Sequence, residues 1–68
     1  MKCYEVERTI GNCRVLLLPQ KDGSGYTFIN LTAGHICPCR FKTIDDALAD
    51  MRNESVFIGV KEIPFDNI

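Results

Sequence analysis

Two of the four cysteines and the only histidine of this chain lie within five residues, in the segment His35-Ile36-Cys37-Pro38-Cys39. Thiolates and imidazoles are the side chains that most often bind transition metals or act as nucleophiles. This segment therefore carries the site chemistry that the sequence offers. Either chemistry requires the three side chains to converge.

A zinc site is the first chemistry that these residue types suggest. In an extended segment alternate residues point to one side, so His35, Cys37 and Cys39 would converge, with Cys3 or Cys13 as a fourth ligand. Cysteine pairs that bind zinc are usually separated by about two to four residues, however, and a single proline between them makes the geometry awkward. We therefore predict no metal and no cofactor, and the alternative is a small zinc-binding protein with the ligands His35, Cys37, Cys39 and Cys13.

Thiol catalysis is the second chemistry, with Cys37 or Cys39 as nucleophile and His35 as its base. Arg40 and the start of the following helix would supply some of the positive potential that stabilises a thiolate. No Asn or Asp can be assigned to orient the base, and redox cysteine pairs usually have about two intervening residues. We predict that the protein is not an enzyme, and thiol activity at this segment joins zinc binding as the alternative.

Length and charge limit the classes of function. A chain of 68 residues predicts one domain spanning 1–68, and folding at this length buries only roughly 60% of the unfolded surface. The formal net charge is -1 and the basic residues are dispersed, so no direct nucleic-acid partner is expected. The N-terminus has no apolar signal segment, and the longest apolar run, 15–18, is too short to cross a membrane. These features predict a cytoplasmic protein without a membrane partner.

Alternating apolar and polar residues predict five strands, at 2–10, 13–18, 26–32, 36–41 and 56–63. Gly11-Asn12 predicts a two-residue hairpin turn, which would place Cys13 opposite Ile10 and Leu17 opposite Val6. Pro38 cannot donate to a strand ladder, so the fourth strand is expected to be an edge strand or a bulged one.

One helix is predicted over 43–53. Thr43 is a suitable N-terminal cap and Asn53 a suitable stop. One helix face carries an apolar stripe, formed by Ile44, Ala47, Leu48 and Met51. The order β-β-β-β-α-β predicts an α+β fold, a small antiparallel sheet of four to five strands with the helix packed on one face.

These properties predict a small non-enzymatic protein-binding module that blocks a surface on a larger macromolecular complex. Inhibitors and accessory proteins of bacterial phages and mobile elements have this general character, and the parallel rests on size and class alone. The expected partner is another protein or protein complex. A homodimer formed through a sheet edge is a further alternative.

Two surfaces are candidates for the partner. The cysteine segment offers a turn stiffened by proline next to a cationic anchor, which favours tight binding. The outer face of the helix offers carboxylates, which mainly accelerate encounter. The candidate partner-binding residues are Arg40, Pro38 and Lys42 on the first surface, and Asp45, Asp46 and Asp50 on the second.

Overall fold

The computed structural model describes residues 1–64, except for the side chains of Pro38 and Cys39. Within this part the chain forms five strands and one helix in the predicted order. They are β1 (Lys2–Arg8), β2 (Cys13–Pro19), β3 (Tyr26–Asn30), β4 (His35–Phe41), α1 (Ile44–Arg52) and β5 (Phe57–Ile63).

All five strands belong to one antiparallel sheet with the order β4-β3-β2-β1-β5. The first four strands form a meander, in which each strand pairs with the next. Helix α1 then carries the chain from the β4 edge to the opposite edge, where β5 pairs with β1. The predicted α+β fold, an antiparallel sheet with one helix, is confirmed.

The core lies between α1 and one face of the sheet. Alternate residues of β1 and β2 point to this face, and α1 closes it with Ala47 and Met51, which are 0% and 7% exposed. The strands contribute Tyr4, Val6, Cys13, Val15 and Leu17, and half-buried aromatic side chains surround them, namely Tyr26, Phe28, Phe41 and Phe57. Fully burying one large apolar side chain stabilises a fold by about 1.5–3 kcal/mol, so this face supplies most of the stability.

Both ends of α1 follow their sequence signals. Thr43 is extended, with φ -133°, and its Oγ1 accepts a hydrogen bond from the backbone N–H of Asp46 at 3.1 Å. At the other end, the backbone N–H of Asn53 donates to the carbonyl of Ala49 at 3.2 Å. The predicted start and stop of the helix are confirmed.

The predicted register of the first hairpin is wrong. Val6 pairs with Cys13 and Lys2 with Leu17, because β1 ends at Arg8 and a four-residue loop, 9–12, connects the strands. The backbone N–H of Thr9 donates to the carbonyl oxygen of Val56 at 2.9 Å. The chain after β1 therefore follows the β5 side, and pairing with β2 ends at Val6, before the Gly11-Asn12 turn. As a result, Ile10 is 68% exposed and does not join the core face.

Strand β4 is an irregular edge strand, as Pro38 predicts. Thr27 pairs with Arg40, but Ile29 pairs with Ile36. Residues 37–39 therefore lie opposite Phe28 alone. A proline, which has no N–H, fits an irregular stretch of an edge strand, where the ladder register shifts.

Candidate functional site

The chemically reactive side chains do not form one cluster. His35 is exposed at the start of β4, opposite Asn30. Cys13 lies in the core at the start of β2, four residues before Leu17, which pairs with Phe28. Since β2 and β4 are two strands apart, Cys13 lies about 10 Å across the sheet and about 13 Å along it from Cys37. Metal–sulfur bonds of about 2.3 Å cannot span that separation.

The predicted zinc set of His35, Cys37, Cys39 and Cys13 is therefore not assembled with Cys13, and the side chain of Cys39 lies outside the described residues. Within the part of the chain that the structure describes, no three His, Cys, Asp or Glu side chains are grouped to hold a metal ion. Cys3 and Cys13 are both buried thiols, on opposite faces of the sheet.

A small cavity lies between the end of α1 and the sheet. Its volume is about 90 Å³, whereas pockets for small-molecule ligands usually measure roughly 300–1,000 Å³. Apolar side chains form most of its wall, with three polar residues at the margin, and the lining consists of Val6, Cys13, Val15, Phe28, Met51, Phe57, Arg8, Asn30 and Glu54. The cavity is a gap in core packing, too small to enclose a typical substrate.

The sheet face opposite α1 carries a continuous apolar row. No described element covers this side, which we call the open face. Strand pairing connects five residues from one edge of the sheet to the other, because each is the registered partner of the next. These residues, which we call the apolar row, are Ile36, Ile29, Leu16, Cys3 and Ile63.

The apolar row is exposed at one edge and half-buried over most of its length. Ile36 is 63% exposed, while Leu16, Ile29 and Ile63 are intermediate and the smaller Cys3 is buried between its neighbours. Leu18 adds further apolar surface two residues from Leu16. Contiguous exposed apolar patches larger than a few hundred Å² are uncommon on monomeric proteins and often mark interaction sites.

Polar residues border the apolar row on both sides, with Leu31 among them on one side and Leu18 on the other. On one side lie Glu5, Arg14 and Lys61, with Arg14 Nε 3.1 Å from Glu5 Oε1. On the other side Thr27 and Arg40 are paired. An apolar centre inside a polar rim is the usual arrangement of a protein–protein interface.

The two sides of the molecule differ in charge. The open face carries Arg14, Arg40 and Lys61 against Glu5 and Glu7, an excess of one cation. The outer side of α1 carries exposed carboxylates, those of Asp45, Asp46 and Asp50. Carboxylates therefore dominate one side, and the opposite side combines apolar groups with cations.

The shifted pKa values have local structural causes. Burial raises the pKa of Tyr4 above its ordinary value of 10.0, and the Glu62 carboxylate raises it further. Hydrogen bonds from Ser24 lower the pKa of Asp22 in the β2–β3 turn. The ion pair with Glu62, 3.0 Å long, raises the pKa of Lys2. None of these three groups lines the cavity under α1, so the shifts give no support to an acid–base site there.

The two surfaces predicted from the sequence lie on opposite sides of the molecule. Arg40 borders the open face and Lys42 follows β4, both exposed. For Pro38 only the backbone position in β4 is described, and the three aspartates lie on the outer side of α1. The sequence analysis missed the apolar row. One signal was present, since four consecutive apolar residues, 15–18, indicate a strand that is apolar on both faces.

Comparison with known proteins gives no relative from which a role could be transferred. No protein-family model, no curated protein and no solved structure matches the chain. In the described part of the chain no helix is long and apolar enough to cross a membrane.

Proposed function

We propose that this protein is a non-enzymatic binding module that occupies an apolar surface on another protein through its open face. The observation that supports the proposal is the apolar row, which crosses all five strands on the side that α1 leaves uncovered. A protein surface of matching shape would remove this area from water, at about 25 cal/mol for each Å² of apolar surface.

The rest of the structure supports binding over catalysis. The cavity under α1 is too small for a typical substrate, and a larger open depression of about 470 Å³ at the β2–β3 turn has no Cys or His in its lining, residues 18–22. Among the side chains that the structure describes, no three His, Cys, Asp or Glu are grouped to hold a metal ion. The open face, in contrast, has the apolar centre and polar margin of an interface. Its backbone is already held in a five-stranded hydrogen-bonded sheet, so little further backbone conformational entropy is lost on binding.

The charges on the open face indicate the chemistry of the partner. Arg40 and Lys61 are exposed, and neither forms an ion pair within residues 1–64. A partner with apolar side chains flanked by carboxylates would match both features. Action as an inhibitor of a larger complex in the cytosol remains a prediction that rests on the small size of the chain.

Site-specific photocrosslinking tests the proposal. A photoreactive phenylalanine analogue is placed at Ile36, on the open face, or at Ile58, on the β5 edge, and each chain is irradiated in its native host. The two isoleucines match in residue type and exposure, 63% and 60%. We expect a different protein to be captured from position 36 and not from position 58.

The captured protein is then purified, and its affinity is measured by titration calorimetry against wild type, Ile36→Lys and Ile58→Lys. We expect Ile36→Lys to weaken binding at least about tenfold, equivalent to about 1.4 kcal/mol, and Ile58→Lys to bind like wild type. Equal capture from both positions, or an unchanged affinity of Ile36→Lys, would refute the assignment of the open face.

A further inference from the structure

We infer that a second copy of this chain covers the open face when the partner is absent, in a two-fold symmetric sandwich of sheets. The inference rests on the proposed function, because it assigns a resting state to the same binding face. Partner binding would then require this homodimer to dissociate.

The size of the open face fits a weak dimer. Five strands spaced about 4.8 Å apart and about seven residues long at 3.3 Å each give a face of about 500 Å² in projection. Two copies would bury about 1,000 Å² in total, which is near the lower limit for a specific interface. A contact of this size forms and dissociates readily, which leaves the face available to another protein.

The placement of the apolar row makes the open face self-complementary. The row runs perpendicular to the strands and reaches both edges of the sheet. Consider a two-fold axis that lies midway between the two facing sheets. Whether this axis runs parallel to the strands or parallel to the apolar row, it places the row of one copy over the row of the other. Leu16, on the central strand β2, would lie near the middle of the contact, and facing sheets pack about 10 Å apart.

The charges favour this arrangement over contacts between other faces of two copies. The open face carries three cations and two anions, so two such faces repel each other weakly. Two outer α1 faces would each bring three carboxylates and one guanidinium together, those of Asp45, Asp46, Asp50 and Arg52, so each face has a net charge of about -2 and the contact is unfavourable.

Pairing of two β5 edges, the sheet-edge dimer, leaves the apolar row exposed. In an antiparallel pair of identical strands, the residue on the two-fold axis faces its own copy. An axis at Lys61 or at Glu62 therefore brings two like charges together, which is destabilising.

Analytical ultracentrifugation of the wild-type chain from about 5 to about 500 µM tests the inference, since a minimal interface predicts a dissociation constant on the order of 10–100 µM. We expect the average mass to rise from 7.7 kDa towards twice that value. Ile36→Lys, at a largely exposed position, should remain monomeric over this range, and Ile58→Lys should dimerise like wild type.

Two results would overturn the inference. One is a wild-type chain that remains monomeric at the highest concentration, and the other is a dimer that Ile58→Lys abolishes and Ile36→Lys preserves. Neither result affects the proposed function, which depends on the affinity of Ile36→Lys for the captured partner. If Ile36→Lys binds the captured partner as tightly as wild type does, while the wild-type chain still dimerises, the proposed function is refuted and the homodimer is the role of the open face.

Discussion

Gly25 fixes the β2–β3 turn against the end of β4. Its φ is +138°, a conformation that favours glycine, and the residue is buried. A Cβ at this position would overlap the carbonyl oxygen of Phe41 and lie 3.2 Å from the Cα of Lys42. The missing side chain lets the turn approach the strand that carries Arg40, at the margin of the open face.

Replacement of Gly25 by alanine should therefore destabilise the fold. We expect Gly25→Ala to lower the free energy of unfolding by at least about 3 kcal/mol, because backbone strain combines with an overlap that only a backbone shift relieves. Gly23→Ala is the control, since Gly23 also has positive φ, +75°, but open space around it. That variant should lose only about 1–2 kcal/mol. Urea unfolding measures both, and equal losses would show that the contact with Phe41 is unimportant.

At the level of elements, α1 depends on a single side-chain cap. The Thr43 hydroxyl accepts from the N–H of Asp46 at 3.1 Å, and this bond satisfies one of the free donors of the first turn. The helix has only nine residues, so it gains most of its stability from packing on the sheet. The cap sets where the chain turns from β4 across the core.

Loss of this cap should have a measurable but limited effect. We expect Thr43→Ala to lower the free energy of unfolding by about 1 kcal/mol. Thr9→Ala makes the same chemical change in an exposed loop, where no hydrogen bond of the Thr9 hydroxyl is described, and should change stability by less than about 0.5 kcal/mol. A Thr43→Ala variant as stable as Thr9→Ala in urea unfolding would contradict the assigned cap.

The elements were predictable because their signals are local. Thr43 and Asn53 mark the helix ends, and Pro38 marks an irregular edge strand. The hairpin register was not predictable, because the hydrogen bond from Thr9 to Val56 joins residues far apart in sequence.

The apolar row was hidden from sequence analysis for a related reason. It contains one residue from each of five strands, so its existence depends on four registers and on the strand order. The shift between Thr27 and Ile29 adds to this dependence, since regular pairing through β4 would not bring Ile36 opposite Ile29. Periodicity identifies the two faces of each strand but not the neighbours of a residue across the sheet.

On the scale of the whole molecule, the sheet separates two unlike sides. One side is α1, with a small core beneath it and carboxylates on its outer surface. The other side is the open face. Residues 1–64 contain six large apolar side chains that are exposed, and strand alternation places four of them on the open face. These four are Met1, Leu18, Leu31 and Ile36. This asymmetry is the physical basis for assigning binding to the open face and leaving to α1 a structural role.

Backbone amide shift mapping tests that assignment most directly. The isotope-labelled chain is titrated with the protein captured from position 36, and amide shift changes are recorded along the chain. We expect the largest changes at Leu16, Ile29 and Ile36, with residues 45–50 of α1 nearly unaffected. Changes concentrated at Asp45, Asp46 and Asp50, with the apolar row unaffected, would show that the carboxylate side of α1 binds the partner and would refute the assignment of binding to the open face.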